Sequence, residues 1–421
     1  MRRALPLLLL ALAWIVPDRL ASSEEPVPLD LQTAYRLALK RSETIAIQAE
    51  AIKQTEGRFL QALSTALPRA TFELSEKRQS GSGSSASTLK KIPERKFIFS
   101  QPLFSGFKEF AAIAGSRAEH RQRVAERAHA QLLLLIDVAD AFYLLHERQE
   151  DRKALEDIQT ALTQRLDEVS EREHLGRSRR SEVVSAEAQL RRVEAEMELV
   201  HSQETTARQL LEFLTGRSPI DRIEEDGPPL PVLETEEASV AKASARPDVR
   251  AAEEAWRVAK NELRIAQAKF WPTVDLESNV YTKRVGVASD VDWDALLTVD
   301  VPLFQGGEAV GATRESASLA RQAKLEWEET LRQAALDIRD AYVEFNAAMS
   351  RTQALAKAFA AAEESLSLQE ADYRMSLVNN LDVLEALQAL QDAKRDYIHA
   401  AHEAKRLYWQ LRAATGAPLK P

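Results

Sequence analysis

The 421-residue chain contains no cysteine and only 13 glycines. Without cysteine it has no disulfide bond, no thiolate metal ligand, no cysteine nucleophile and no acylated lipoprotein cysteine. Scarce glycine, combined with heavy use of Ala, Leu, Glu and Arg, favours long helices over the two or three compact domains that this length could hold. The net charge of −9 is distributed along the chain. The concentrated basic face of a nucleic-acid-binding protein is therefore missing, and no nucleic-acid partner is predicted.

Proline is missing from two long segments, residues 103–218 and 303–417. Each segment begins within a Pro-Leu-Phe-x-Gly motif, at residues 102–106 and 302–306. Further matching pairs keep the same spacing of 200 residues: Asp140/Asp340, Leu190/Leu390 and Gly216/Gly416. The chain is therefore an internal two-fold sequence repeat.

Each proline-free segment is interrupted once by a polar turn, which predicts a helix hairpin. The predicted arms are residues 107–175 and 182–215 in the first copy and residues 307–375 and 382–415 in the second. The longer arm, about 68 residues, spans on the order of 100 Å, which no compact domain core can use. Its apolar residues repeat at alternating intervals of four and three, typical of helices that pack lengthwise: Trp327, Leu331, Ala334, Ile338, Ala341, Phe345 and Ala348.

The N-terminal residues have the pattern of a targeting segment. Two arginines followed by the apolar run of residues 4–16 predict a cleaved signal peptide, residues 1–22, because the run is too short to span a bilayer. The alternative is an ordinary first helix, which Pro6 and Pro17 disfavour. Cleavage places the mature chain outside the cytoplasm. Helical spacing of apolar residues begins at residue 29 and predicts one helix up to Leu67.

Each copy also contains two segments in which apolar and polar residues alternate, the period of a strand with one apolar face. They predict strand hairpins at residues 68–103 and 272–303, each with a loop between its strands. The first repeat, residues 29–217, and the second, residues 248–417, thus share one order: helix, strand hairpin, long helix, turn, shorter helix. Between them, residues 218–247 are rich in proline and acidic side chains, which predicts a linker.

Four strands of about ten residues suit β-strands that cross a bilayer at a tilt. Four strands cannot close a barrel, and an open edge in hydrocarbon leaves backbone groups unsatisfied. The strands therefore close with copies from other subunits or lie outside a membrane. Aromatic residues at the strand ends favour a membrane, as an interfacial girdle: Phe104, Phe107, Phe270, Trp271, Trp293 and Phe304. The alternative is a pair of soluble hairpins that cap a coiled coil.

With these motifs, and with the segment Tyr-Arg-Met-Ser-Leu-Val-Asn-Asn-Leu-Asp-Val-Leu-Glu at residues 373–385, the chain resembles the TolC-like outer-membrane efflux protein family over essentially all of its mature length. The resemblance implies a mainly α fold with membrane β-barrel strands. Three identical chains, each with four strands, would form a twelve-stranded barrel continued by a long periplasmic α-helical barrel.

The same resemblance implies a function and partners. It implies an exit duct for efflux or type I secretion in the outer membrane of a Gram-negative bacterium, extending into the periplasm. Such a duct is not an enzyme and needs no cofactor. The expected partners are two further chains of this protein, a periplasmic adaptor (membrane fusion protein), an inner-membrane transporter and outer-membrane lipid.

The resemblance further implies a periplasmic gate near the second turn. The family's acidic pair matches Asp382 and Glu385, with Tyr373 as a neighbouring linking residue. Three copies of each carboxylate would form a cation-attracting constriction whose like charges oppose tight closure. As an alternative or additional role, Asp382 is predicted to N-cap the returning helix. Relatives carry an arginine near this turn, where this chain has Val378. The chain therefore departs from the family's arrangement of salt bridges that close the gate.

Adaptor docking is implied for a tripeptide at each turn. The matching residues are Leu175, Gly176 and Arg177 in the first turn and Met375, Ser376 and Leu377 in the second. Gly176 suits a backbone of positive φ, whereas Ser376 departs from the family's glycine. A purely structural turn is the alternative for each residue. Three arginines make the first turn basic, which suits an acidic partner surface: Arg177, Arg179 and Arg180.

Other functions find little support in the sequence. It contains no phosphate-binding glycine loop, no GxSxG motif and no clustered His/Asp/Glu site, so neither an enzyme nor a metal site is predicted. His399 and His402 share a helix face without further ligands nearby in sequence, which predicts two solvated surface histidines. The competing function is a secreted periplasmic coiled-coil protein, structural or adaptor-like, without a pore. The cargo is left open, although the histidines and methionines form no clustered metal relay.

Overall fold

The computed structural model describes residues 28–80, 89–220, 222–225 and 234–417. The predicted signal peptide, residues 1–22, and parts of the first strand loop and of the predicted linker lie outside these residues. The described residues form eight α-helices and four β-strands. The sequence repeat is visible in the order of these elements.

The two copies contain closely matched helix hairpins. In the first copy, α3 (Lys108–His174, 67 residues) is followed by α4 (Arg180–Thr215, 36 residues). In the second, α7 (Glu308–Arg374, 67 residues) is followed by α8 (Asn380–Ala414, 35 residues). At the usual rise of about 1.5 Å per residue, α3 and α7 each extend on the order of 100 Å.

The predicted single helix from residue 29 to Leu67 is wrong, because the structure breaks it at Ser42. Helix α1 (Leu31–Arg41) ends there and α2 (Glu43–Ser64) begins. Ser42 is extended (ψ 115°), and its hydroxyl accepts a hydrogen bond from the Ile45 amide (3.4 Å), the usual role of an N-cap serine. The break lets α1 pack on α3, where the Tyr35 hydroxyl donates to the Gln131 carbonyl (3.1 Å).

Much of the described part of the predicted linker is ordered against the helices. It contains α5 (Glu236–Val240) and a 3-10 turn (Ala243–Ala245), and α6 (Pro247–Ala268) begins at its last residue. Arg246 is buried and donates hydrogen bonds to the Ala334 carbonyl (3.3 Å) and the Asp337 carboxylate (3.1 Å) on α7. These contacts fix the start of the second copy against its own long helix.

The strands form one antiparallel sheet in the order β1 (Arg69–Arg78), β2 (Lys91–Ser105), β3 (Thr273–Lys283) and β4 (Trp293–Asp300). Each copy contributes one hairpin, and β2 pairs with β3 to join the two copies. Within the described chain, β1 and β4 are the two edges and are not paired with each other.

The register gives the sheet one apolar and one polar face. Phe72, Phe97, Val280 and Trp293 stand opposite one another in a single row across all four strands, and they are 40–66% exposed. The next rows on this face continue with Phe99, Leu276, Leu297 and Val299. On the other face Asn279 and Tyr281 donate hydrogen bonds to the Asp294 carboxylate (3.0 and 2.8 Å). The sheet thus presents mainly apolar side chains on one side and mainly polar ones on the other, where the exposed Leu296 is an exception.

Apolar residues along the helices form several buried clusters. One joins α1, α3 and α4, and includes Leu135, Val138 and Phe142 of α3, all fully buried. Among the described helices, α3 alone contains a stretch that could cross a membrane by length and composition, and half of that stretch is buried. Burial in this core accounts for the apolar character of α3.

Candidate functional site

Both helix hairpins turn with the same backbone geometry. After α3, Gly176 has φ 71°, and its amide donates to the Glu173 carbonyl (2.8 Å) while the next amide reaches the Arg172 carbonyl (2.8 Å). After α7, Ser376 has φ 62°, and two matching hydrogen bonds of 3.0 and 2.9 Å close the turn. These are left-handed C-terminal caps that satisfy the last carbonyls of each helix.

The two turns expose their side chains. Leu175, Met375 and Leu377 are 63–69% exposed, and Arg177, Arg179 and Arg180 are exposed beside the first of them. Exposed apolar side chains next to charged ones are typical of a surface that meets a partner. The structure therefore brings the six predicted docking residues to two equivalent ends of the hairpins.

Helix α8 begins with a capping box in which Asn379, and not Asp382, is the N-cap. The Asn379 side chain accepts from the amides of Leu381 (2.7 Å) and Asp382 (3.3 Å), while the Asp382 carboxylate accepts from the Asn379 amide (2.9 Å). The predicted N-cap role of Asp382 is thus wrong by one turn, because the asparagine side chain reaches the first free amides. Glu385 lies one turn further on α8 and is exposed.

Tyr373 lies in the interior between two guanidinium groups from α3. The Arg165 guanidinium is 3.7 Å from the centroid of the tyrosine ring, and that of Arg172 is 4.3 Å from it. Tyr373 is only 5% exposed. A desolvated cation over an aromatic face contributes about 2 kcal/mol, so this contact holds the end of α7 against α3.

Arg165 extends the same contact to α8 and α4. Its Nε donates to the Asn380 side-chain oxygen (2.7 Å) and its Nη1 to the Glu168 carboxylate (2.9 Å). Asn380 is fully buried and donates in turn to the Glu182 carbonyl of α4 (3.4 Å). A buried guanidinium is costly unless it is paired and hydrogen-bonded, which this arrangement largely achieves. Arg165 thus contacts α7 and α8 directly and is linked to α4 through Asn380.

Val378, which stands where relatives carry an arginine, has an apolar environment in the structure. Val378 packs against the apolar cluster that contains Tyr373, Val383 and Leu384. The cations that meet Tyr373 come instead from Arg165 and Arg172 on α3, which were not predicted from the sequence. No local signal in the sequence could have indicated them, because Arg165 and its partner Asn380 are 215 residues apart.

A second polar connection links the hairpins further from the turns. Arg395 of α8 donates to both oxygens of Asp151 on α3 (2.7 and 3.1 Å) and to Glu196 on α4 (2.9 Å). The hydrogen bond to Asp151 is the main cause of a raised Arg395 pKa. The three helices are thus held by charge as well as by apolar contact.

The two histidines predicted to lie on the surface behave differently from each other. His399 is partly exposed, with Nδ1 3.0 Å from the Glu147 carboxylate. His402 is 1% exposed and faces α3. The prediction for His402 is therefore wrong, because the packing of α8 on α3 buries a position that helical spacing alone left undecided.

Comparisons with known proteins agree with this architecture. The profile of the family described as "Outer membrane efflux protein" matches residues 34–217 and 241–417. The outer membrane protein TolC of Vibrio cholerae is 24% identical over 338 residues, covering 76% of this chain and 75% of that protein.

Solved structures resemble the chain over nearly its whole length. The outer membrane protein VceC of Vibrio cholerae superposes with a TM-score of 0.80 at 22% identity, covering 92% of this chain and 96% of that one. The CmeC outer membrane channel of Campylobacter jejuni gives 0.78 at 16% identity, covering 93% and 86%. At these identities the superpositions support the same fold.

Proposed function

Because the chain belongs to the outer membrane efflux protein family, we propose that three copies assemble into one continuous duct through the outer membrane and the periplasm. The chain is an outer-membrane efflux channel of a Gram-negative bacterium, extending into the periplasm. Its family consists of ducts and not of enzymes. Export to this location requires a signal sequence, and residues 1–22 are proposed for that role.

The observation that carries the proposal is the sheet. Its apolar face is exposed across all four strands, and its edges β1 and β4 are not paired with each other. In hydrocarbon each unpaired backbone group costs several kcal/mol, so such edges must find partners. Pairing β4 of one copy with β1 of the next, three times, closes a barrel of twelve strands, within the range known for outer-membrane barrels.

The faces of the sheet agree with this closure. The row that contains Phe97 and Trp293 would meet lipid, while the hydrogen-bonded Asn279, Tyr281 and Asp294 would face the water-filled interior. The competing function, a pore-free periplasmic coiled coil, leaves a broad apolar face in water. Exposed apolar areas of this kind are rare on soluble proteins.

The proposed gate consists of Asp382, Glu385 and Tyr373. In a trimer, three copies of the acidic pair would place six carboxylates around the periplasmic mouth. Such a ring attracts cations, and its mutual repulsion opposes closure. Tyr373, held between Arg165 and Arg172, would keep the second hairpin against the first and so limit how far the mouth opens.

The proposed docking surfaces are the two turns. The partners are a periplasmic adaptor and, through it, an inner-membrane transporter. Support comes from the matched geometry of Gly176 and Ser376 and from the exposed apolar residues beside them. The arginines of the first turn would suit an acidic surface on the adaptor.

The test of the duct and gate is single-channel conductance of the purified protein in planar bilayers. We expect the unmodified oligomer to conduct with a preference for cations. Replacing both acids, Asp382→Ala with Glu385→Ala, should lower the K⁺ over Cl⁻ permeability ratio towards unity, because the cation-attracting ring is removed.

A matched control removes the same charge elsewhere. Glu363 and Glu364 lie more than two helical turns before the end of α7, and both side chains are exposed. Replacing both by alanine should leave the selectivity nearly unchanged. Oligomers that insert but never conduct would refute the duct. A conducting double variant with unaltered selectivity would refute only the acidic gate.

A further inference from the structure

Three potential metal ligands from two helices converge beside the core of the first hairpin. His146 and Glu150 are four residues apart on α3, so their side chains share one face of that helix. His402 approaches them from α8. The His402 Nε2 atom is 3.3 Å from the His146 Nδ1 and 2.9 Å from a Glu150 carboxylate oxygen, and the His146 Nδ1 is 3.5 Å from the other oxygen. The three ligand atoms all lie within 4.8 Å of one another.

Hydrogen bonding alone does not satisfy this cluster. The Nε2 atom of His402 carries at most one proton, so it can donate to only one of its two neighbours. The other ring nitrogen, Nδ1, is buried and has no hydrogen-bond partner among the described residues. The side chain of His402 is 1% exposed, and its Nε2 atom, not the unpaired Nδ1, faces the two further electron-pair donors.

The spacing fits a tetrahedral metal ion. Zinc–nitrogen and zinc–oxygen bonds of roughly 2.0–2.1 Å give ligand-to-ligand distances of about 3.3 Å in a tetrahedron. The His146–His402 separation of 3.3 Å matches that value, and the two Glu150 oxygens lie 2.9 Å from His402 and 3.5 Å from His146, respectively. Two imidazoles and one carboxylate are a donor set suited to zinc and to neighbouring divalent transition metals.

We propose that His146, Glu150 and His402 bind one divalent transition metal ion of the zinc class, which joins α3 to α8. Glu150 is 46% exposed and His146 is 18% exposed at the side chain, so the fourth coordination position opens to solvent and would hold a water molecule. The ion would lie in the wall of the helical hairpins, and its binding does not depend on the duct function.

The surrounding charges are compatible with a cation. Burial, followed by the neighbouring His402, lowers the pKa of His146. The hydrogen bond with His402 lowers the pKa of Glu150. Lys405 is a nearby cation, and its Nζ lies 2.5 Å from a carboxylate oxygen of Glu225, which offsets its charge.

The test is metal titration of the purified full chain in detergent after treatment with a chelator. Zn²⁺ is titrated in competition with a chromophoric chelator, and Co²⁺ is followed by its visible d–d absorption. We expect one saturable site per chain and the intense spectrum of tetrahedral Co²⁺. His146→Ala and Glu150→Gln should each weaken binding by roughly tenfold or more, since changes even to groups that only orient a ligand cost about 10–100-fold.

The control is His399→Ala, on the same helix as His402 but hydrogen-bonded to Glu147 outside the cluster. It should retain the unmodified affinity and the tetrahedral spectrum. Circular dichroism and gel filtration establish that each variant is folded and assembled as before. Weak, non-saturating uptake, or equal affinity in the His146→Ala and unmodified chains, would identify a merely hydrogen-bonded histidine pair and overturn the proposal.

Discussion

At the residue scale, the two copies form the same turn with different amino acids. Serine at position 376 adopts the left-handed backbone (φ 62°) that glycine adopts at position 176 (φ 71°). For a residue with a Cβ this conformation costs about 1 kcal/mol or more. No heavy atom lies within 4 Å of the place where a Cβ would stand on Gly176, so a substitution there meets only this backbone cost.

Exchanging the two residues should therefore change stability in opposite directions. We expect Ser376→Gly to stabilise the protein and Gly176→Ser to destabilise it, each by about 0.5–1 kcal/mol. Thermal unfolding of the detergent-solubilised protein measures both shifts. Each variant serves as the control for the other, and a shift of the same sign in both would contradict the explanation.

Also at the residue scale, the sequence located the turns but not the contacts that hold them. The turn positions follow from local composition, and Gly176 and Asp382 could be placed near helix ends in advance. Arg165, Arg172 and Asn380 could not, because a residue's long-range partner depends on which helices pack together. The same reason explains why the buried state of His402 was not foreseen.

At the element scale, the strands could be assigned in detail from the sequence. A strand turns successive side chains to opposite faces, so alternation alone defines the two faces. Which strands are neighbours, and that β2 pairs with β3 across the two copies, requires tertiary structure. The break between α1 and α2 at Ser42 was also not predicted, because helical periodicity continues on both sides of it.

The faces of β3 allow a matched test of membrane insertion. Leu276 lies on the apolar face, opposite Leu297, and the next residue, Glu277, lies on the polar face. Leu276→Arg should destabilise the inserted barrel by about 2–4 kcal/mol, the cost of a charge that faces lipid near mid-depth. The amount of assembled oligomer extracted from outer membranes measures this effect.

Glu277→Arg places the same side chain one residue along the strand. We expect this control to insert normally, since the polar face meets water. Equal yields of the two variants would contradict the assignment of the faces.

At the scale of the whole molecule, the absence of cysteine makes it possible to determine, with single introduced cysteines, on which side of the outer membrane a residue lies. An introduced cysteine would be the only thiol in the chain. Ser289 is exposed in the loop between β3 and β4, and Leu377 is exposed at the opposite end of the molecule, in the turn after α7. In a duct that crosses the outer membrane these positions lie on different sides.

We expect a membrane-impermeant maleimide to label Ser289→Cys in intact cells. Leu377→Cys should react only after the outer membrane has been permeabilised, because the turn lies in the periplasm. The unmodified chain provides the background. Labelling of Leu377→Cys in intact cells, or of neither variant in permeabilised cells, would contradict the proposed orientation.

The sequence by itself determined the two-fold repeat, the paired long helices, the turns and the two faces of the strands, because each depends on periodicity or composition within a short stretch of chain. Only the tertiary structure decided that Arg165 meets Tyr373 and Asn380, and that His146 and Glu150 meet His402. Those residues are more than 200 positions apart. Their meeting depends on how α3 packs against α7 and α8, and helix packing is set by the summed contacts of many side chains, which no local pattern records.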